Sequence, residues 1–178
     1  DSYRTLEPSR KLMDKILRPG NLYFYYNAFK PIRDFSKICL AGNYDFGELA
    51  KHCQRVLKTV EDCGGTVEID GLNNLVAEPR VYVANHMSSL ETVTLAYVMQ
   101  KAGPSIFVIK ESLMTYPVFG HIMQAMNCIP MTRSNPIQDL KTLLKEGGEM
   151  LKNGTSVIIF PQKTRGVEFI PEEFNSIG

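Results

Sequence analysis

No uninterrupted apolar run in this 178-residue chain reaches the roughly 20 residues that a membrane-spanning helix requires. No secretory signal pattern of basic start, apolar middle and small-residue cleavage site is evident. The four cysteines, Cys39, Cys53, Cys63 and Cys128, include no closely spaced pair of the kind that binds zinc. They are expected as buried free thiols in a reducing compartment, and no cluster argues for a bound metal. A Gly-rich phosphate loop and a dinucleotide fingerprint are both missing. Formal net charge is only +1, so neither a basic stripe nor a motif points to nucleic acid. No repeat or low-complexity block stands out.

What is there suits one ordinary domain. Hydrophobic residues make up 44% and charged residues 22%, enough apolar surface for a sizeable core and against global disorder. The charge is uneven. Residues 1–37 carry eight Lys and Arg against four acids, leaving the remainder net −3. That basic start overlaps an aromatic patch, Leu22-Tyr23-Phe24-Tyr25-Tyr26-Asn27-Ala28-Phe29. Rings and cations together suit a lipid headgroup layer; the same rings equally suit cover for an α/β core.

Residues 9–17 read as a short helix broken by Pro19-Gly20, and a second helix is expected to begin near Pro31. Asp45 caps a further helix with Glu48 as partner, and Phe46, Leu49, Ala50, Cys53, Val56, Leu57 and Val60 form its apolar face. Cys63-Gly64-Gly65 ends it. Strands are predicted at residues 66–70, 80–84, 105–109, 128–131 and 155–160. Between them, residues 90–99, 117–126 and 136–152 have helical periodicity, weakened at Gly147-Gly148. Strands alternating with helices predict an α/β fold with a mixed or mostly parallel sheet flanked by helices, preceded by an N-terminal helical segment.

The candidate chemistry sits at strand ends. His86 follows the apolar run Arg80-Val81-Tyr82-Val83-Ala84, and Glu91 lies five residues on, in the first turn of a predicted helix. An imidazole titrates near neutral pH, and a carboxylate can fix its tautomer and stabilise the imidazolium. A five-residue offset does not share a face of a continuous helix, so the pairing requires a bend between them. No protein nucleophile is needed if a bound hydroxyl is activated directly. A second strand leads into Phe160-Pro161-Gln162-Lys163-Thr164-Arg165-Gly166. Lys163, Thr164 and Arg165 there, with Arg133 after another strand, offer a phosphate site. His52 and His121 are not expected to be catalytic. Tyr116, Phe119, Met123 and Met126 are candidates either for an acyl channel or for plain helix-to-sheet packing.

These stretches resemble the glycerolipid acyltransferase family, in particular its 1-acyl-glycerol-3-phosphate acyltransferase branch. The first family motif is an Asn-His pair with an acid five residues later, here Asn85-His86-Met87-Ser88-Ser89-Leu90-Glu91, with Glu91 where Asp is usual. A second region matches Lys110-Glu111-Ser112-Leu113, Pro117-Val118-Phe119-Gly120 and Ile129-Pro130-Met131-Thr132-Arg133. The third, usually Phe-Pro-Glu-Gly-Thr-Arg-Ser, reads Phe160-Pro161-Gln162-Lys163-Thr164-Arg165-Gly166. Gln162 removes the expected negative charge and Lys163 replaces the flexible glycine. The resemblance covers roughly residues 75–170.

The resemblance implies a glycerol-3-phosphate acyltransferase-like fold. It divides the chain into an N-terminal helical region over 1–65, facing a membrane, and an acyltransferase core over 66–178. A fourth family region, an apolar strand with proline, would lie beyond Gly178, so the core is expected to be incomplete at its C-terminus. The implied reaction moves a fatty acyl group from acyl-CoA or acyl-carrier protein, with no bound cofactor, to the hydroxyl of 1-acyl-glycerol-3-phosphate. His86 would be the base and Glu91 its orienting acid. Arg133, Lys163, Thr164 and Arg165 would hold phosphate, with Asn85, Ser88, Lys110, Gly120 and Gln162 in support. The membrane surface, on its cytoplasmic face, is the expected location. Other lysophospholipid, glycerophosphate or aminolipid acceptors, or a weakly active lipid-binding homologue, are the alternatives.

Overall fold

The computed structural model describes residues 2–6, 9–17, 21–162, 165–166, 168 and 170–173. The chain begins with a two-residue strand β1 (Tyr3–Arg4), a short helix α1 (Leu12–Ile16) and two long helices, α2 (Leu22–Leu40) and α3 (Phe46–Asp62). A second short strand, β2 (Glu68–Ile69), precedes the alternating part. That part runs β3 (Val81–Val83), α4 (Leu90–Val98), β4 (Ser105–Lys110), α5 (Phe119–Ala125), β5 (Ile129–Met131), α6 (Pro136–Lys152) and β6 (Ser156–Ile159).

The main sheet has the order β3-β6-β4-β5, and every pairing in it is parallel. Strand β6 therefore inserts between β3 and β4, with Val81 opposite Val157 and Ile106 opposite the same Val157 on its other side. The two central strands read as near-continuous apolar runs because helices cover both their faces. All of β6 is buried, and so is most of β4. The edges differ in kind. Val81 and Val83 of β3 leave one edge half-open to solvent, and Pro130, which has no N–H to give a ladder, stands in edge strand β5.

One sheet face presents Phe107, Ile109 and Ile158 to a core shared with Phe35 of α2, Cys53 of α3, Ala96 of α4 and Ile122 of α5. The opposite face presents Ile106, Ile129, Val157 and Ile159 to Leu143 and Met150 of α6. Helix α6 runs unbroken through Gly147-Gly148. It starts with Asn135 accepting from the Gln138 N–H and with Pro136 in its first turn. Gly147 lies against Ile129, so burial of the helix face offsets the weak propensity.

The sheet is wholly parallel, within the expected mixed or mostly parallel α/β class. Two expectations change. The strand expected at 66–70 is only Glu68–Ile69 and lies outside that sheet: it pairs antiparallel with β1, Tyr3 opposite Ile69. This pair is tied down by Glu61 of α3, which accepts from the Tyr3 hydroxyl at 2.6 Å and the Thr5 hydroxyl at 2.7 Å. The helix expected near Pro31 begins at Leu22 instead, so the aromatic patch is helical and Pro31 stands inside α2. Its carbonyl takes a hydrogen bond from His52 Nδ1 of α3 at 2.8 Å, a tertiary contact that the local Pro signal does not encode.

Helix α5 is held tightly to the 3-10 turn over Glu111–Thr115. Val118, a β-branched residue, adopts φ 68° and ψ −59° in a γ-turn closed by the Phe119 N–H on the Pro117 carbonyl at 2.8 Å. Two residues on, a Cβ at Gly120 would stand 2.4 Å from the Met114 carbonyl oxygen. Gly120 is required by that approach. Gly120→Ala should cost about 1–3 kcal/mol by forcing the turn outward. Urea unfolding checks this, and an unchanged midpoint would contradict it.

Candidate active site

Parallel strands end at the same edge, and the four strand ends of this sheet deliver the candidate site. His86 follows β3, Lys110 ends β4, Arg133 follows β5 and Arg165 follows β6. All four line one cavity of about 410 Å³. Its rim carries these polar groups. Its interior is apolar, lined by Phe35, Leu49, Cys53, Ala96, Ile122 and Met126, among others.

His86 is held on every side. Its backbone N–H donates to Gln162 Oε1, and its carbonyl accepts from the Gly166 N–H at 3.0 Å. Its ring stacks on Phe160 with centroids 4.4 Å apart, and Phe160 in turn stacks on Phe107. Its Nδ1 lies 3.0 Å from Glu91 Oε2. A carboxylate only accepts, so the neutral ring carries its proton on Nδ1 and leaves the Nε2 lone pair as the base.

The bend that the pairing requires is present, and Glu91 itself stabilises it. Its other oxygen accepts from the backbone N–H groups of Met87 and Ser88, each at 2.6 Å. These donors stand in the turn just before α4, and the carboxylate lies in the helix's first turn, where the helix dipole favours negative charge. One side chain thus forms the turn and orients the base. Ser88 serves the same turn, accepting the Leu90 N–H at 3.0 Å, and pairs with no basic group among the described residues. The neighbour Ser89 does: its hydroxyl accepts from the Arg165 guanidinium.

Ser89 had no assigned role in the sequence, although a signal existed. Ser89, Thr92, Val93 and Ala96 follow one helical face, and all four line the cavity over about 10 Å of α4. Phe160 was likewise read as part of a motif and not as a platform for the base.

Arg133 has φ 61°, a left-handed conformation uncommon for a side chain of this size. Asp139 in the first turn of α6 holds it there, accepting from the Thr132 N–H at 2.9 Å and the Arg133 N–H at 2.7 Å. The hydrogen bond from the Thr132 amide, followed by that from Arg133, holds the Asp139 carboxyl below the usual carboxylate range. Lys163 and Thr164 lie outside the described residues. Asn85 and Gly120 are not among the described residues that line the cavity.

Tyr116, Phe119, Met123 and Met126 all line the cavity. His52 lines it too, while His121 bonds the buried Ser36 hydroxyl at 2.9 Å and ties α5 to α2. Burial pushes the Cys53 thiol up to about 12, and burial likewise raises Cys128 to about 11, so neither offers a thiolate at neutral pH.

A sequence model of the acyltransferase family matches residues 66–169, more than half of the chain. The chain belongs to the acyltransferase family. Among its relatives is the 1-acyl-sn-glycerol-3-phosphate acyltransferase of Pseudomonas aeruginosa, 38% identical over 98 residues, covering 55% of this chain and 37% of the relative. The chloroplastic 1-acyl-sn-glycerol-3-phosphate acyltransferase LPAT1 of Arabidopsis thaliana is 37% identical over 102 residues, 56% of this chain and 27% of its own length. The chloroplastic BAT2 enzyme of Brassica napus is 37% identical over 100 residues, 55% of this chain and 28% of its own. The chain therefore spans about a third of the length of the curated relatives it matches. No solved structure matches it.

Glu91 serves three donors with two oxygens. A glutamine there has one oxygen, which the Met87 and Ser88 amides claim, and its NH2 then faces His86 Nδ1. Glu91→Gln should push the ring proton to Nε2 and remove the base. Nitrogen NMR of the His86 ring should report the Nδ1-protonated tautomer in the wild type and the Nε2-protonated one in the variant. An unchanged tautomer would refute the assignment.

Proposed function

We propose that this acyltransferase moves a fatty acyl group from an acyl thioester, of coenzyme A or acyl-carrier protein, to the free hydroxyl of 1-acyl-glycerol-3-phosphate, giving phosphatidic acid. The observation that carries the reading is the His86–Glu91 pair at the polar rim of a deep apolar cavity. A base beside cations suits a phosphorylated alcohol, and the apolar interior suits a hydrocarbon chain.

His86 Nε2 takes the proton of the acceptor hydroxyl while Glu91 stabilises the imidazolium through Nδ1–H. The alcohol oxygen attacks the thioester carbonyl, and the carbonyl electron pair moves onto its oxygen. Collapse of this intermediate re-forms the carbonyl, makes the ester and expels the thiolate, which recovers the proton from His86. No acyl-enzyme is formed. Arg133 and Arg165 bind the acceptor phosphate, with Lys110 at the same rim; Ser89 keeps the Arg165 guanidinium beside the base. The acyl chain enters along the α4 face and between α2, α3 and α5.

His86→Ala should abolish transfer, with an unchanged thermal midpoint, while Arg165→Ala should chiefly raise KM for the phosphorylated acceptor. Turnover assays with a thioester donor check both. Near-normal transfer by His86→Ala would sink the proposed base, and an equal loss on an uncharged acceptor would sink the role of Arg165.

Greasy substrates call for contact with a lipid surface. No helix among the described residues is long and apolar enough to cross a membrane. Helices α1 and α2 instead leave Leu12, Ile16, Leu22, Tyr25, Tyr26 and Phe29 exposed among basic side chains, and α1 packs on α2. Tyr116 and Phe119 at the cavity rim are exposed as well. This surface rests on a bilayer with its rings among headgroups and its cations on anionic lipid. The protein should float with anionic liposomes, less so at high salt. Failure to float while folded would reject peripheral attachment.

A further inference from the structure

Away from its rim the described cavity wall is aliphatic, aromatic or sulfur-bearing, with two exceptions, Thr92 of α4 and His52 of α3. Thr92 donates its hydroxyl proton to the Ser89 carbonyl at 2.9 Å. His52 is different. Its Nδ1 lies 2.8 Å from the Pro31 carbonyl oxygen of α2. A carbonyl only accepts, so Nδ1 carries a proton, and Nε2 of the neutral ring holds a lone pair. The ring also leans on Phe35, another lining residue, with centroids 5.2 Å apart. These two contacts fix the imidazole, and the Nε2 lone pair points away from the Pro31 carbonyl. Nε2 has no hydrogen-bond partner among the described residues, nor is it sealed from open space. A polar ring in the wall of a hydrocarbon site is costly to keep dry. The tie to Pro31 uses one nitrogen, and a saturated chain has nothing to offer the other.

We propose that His52 selects a donor acyl chain bearing a hydroxyl on an interior carbon, whose O–H pairs with Nε2. The inference rests on the acyl transfer proposed above, with the chain running along α4 and between α2, α3 and α5. A hydroxyl carried into an apolar cavity leaves its bonds to water behind and must find a partner there. At the level of His52 it finds one. Elsewhere along the interior it meets carbon and sulfur. A hydroxyl both donates and accepts, so it also pairs with the protonated ring, in which Nε2–H donates. The preference is therefore positional: the stretch of chain that passes His52 accepts an oxygen, and the stretches before and after it do not.

The test uses the full-length protein with 1-acyl-glycerol-3-phosphate as acceptor. The donors are coenzyme A thioesters of one chain length, either saturated or hydroxylated at a single carbon, taken in turn along the chain. Relative to the saturated donor, the wild type should lose about tenfold in kcat/KM for a hydroxyl at most interior carbons and less than about threefold at one favoured position. His52→Asn keeps an N–H for the Pro31 carbonyl, because its amide nitrogen stands where Nδ1 stands, and withdraws the far edge of the ring. That variant should lose about tenfold at the favoured position and change less than about threefold on the saturated chain. A uniform penalty along the chain in the wild type would overturn the proposal without any variant. An equal loss on saturated and hydroxylated chains in His52→Asn would overturn it too, assigning His52 to the packing of α2 on α3. A preference that appears only when the hydroxyl is on the acceptor's own acyl chain would overturn the donor assignment. Failure to transfer even the saturated chain would overturn the reading of the reaction, and this proposal with it.

Discussion

The parallel pairing of β3 with β6 is the contact on which the rest of the site depends. The two strands are more than 70 residues apart in sequence, yet Val83 stands opposite Ile159. The ladder continues past the strands, with the Ala84 N–H on the Ile159 carbonyl. It then passes to less regular bonds, the His86 N–H to Gln162 Oε1 and the Gly166 N–H to the His86 carbonyl. A base carried on a loop is thereby fixed almost as firmly as a residue within the sheet. Because parallel strands share one polarity, Lys110 and Arg133 reach the same edge from β4 and β5.

Structure and chemistry share side chains here. Glu91 satisfies backbone donors at the start of α4 and also fixes the His86 tautomer. Phe160 continues the aromatic stack from the core at Phe107 to the base at the rim. The boundary between polar rim and apolar interior falls along α4, from Ser89 beside Arg165 to Ala96 in the core.

Much of this was legible from local pattern. Alternation of strands and helices gave the α/β class, and the spacing of His86 and Glu91 called for the bend that brings them together. The acyltransferase resemblance tied Arg133 and the Phe160–Gly166 stretch to the same site. Other features were not legible, each for a definite reason. Pro31 reads as a helix start because its ring suits a first turn, but packing of α2 on α3 and α5 carries the helix through it. The 66–70 segment alternates as a strand should, and nothing local says that its partner is Tyr3–Arg4. Ser88 and Ser89 are equal in composition, and only the direction of the turn separates the capping hydroxyl from the one that meets Arg165.

The sequence by itself determined which groups are present, the order of elements and the spacing that obliges His86 and Glu91 to meet across a turn. These are short-range matters, set by side-chain periodicity and by what each functional group can donate or accept. Only the tertiary structure decided that β6 lies between β3 and β4, that the cavity opens at His86, and that the Gln162 side-chain oxygen meets the His86 N–H. Those are outcomes of long-range pairing and burial, where an oxygen or a nitrogen of one side chain is oriented by a backbone group 76 residues away.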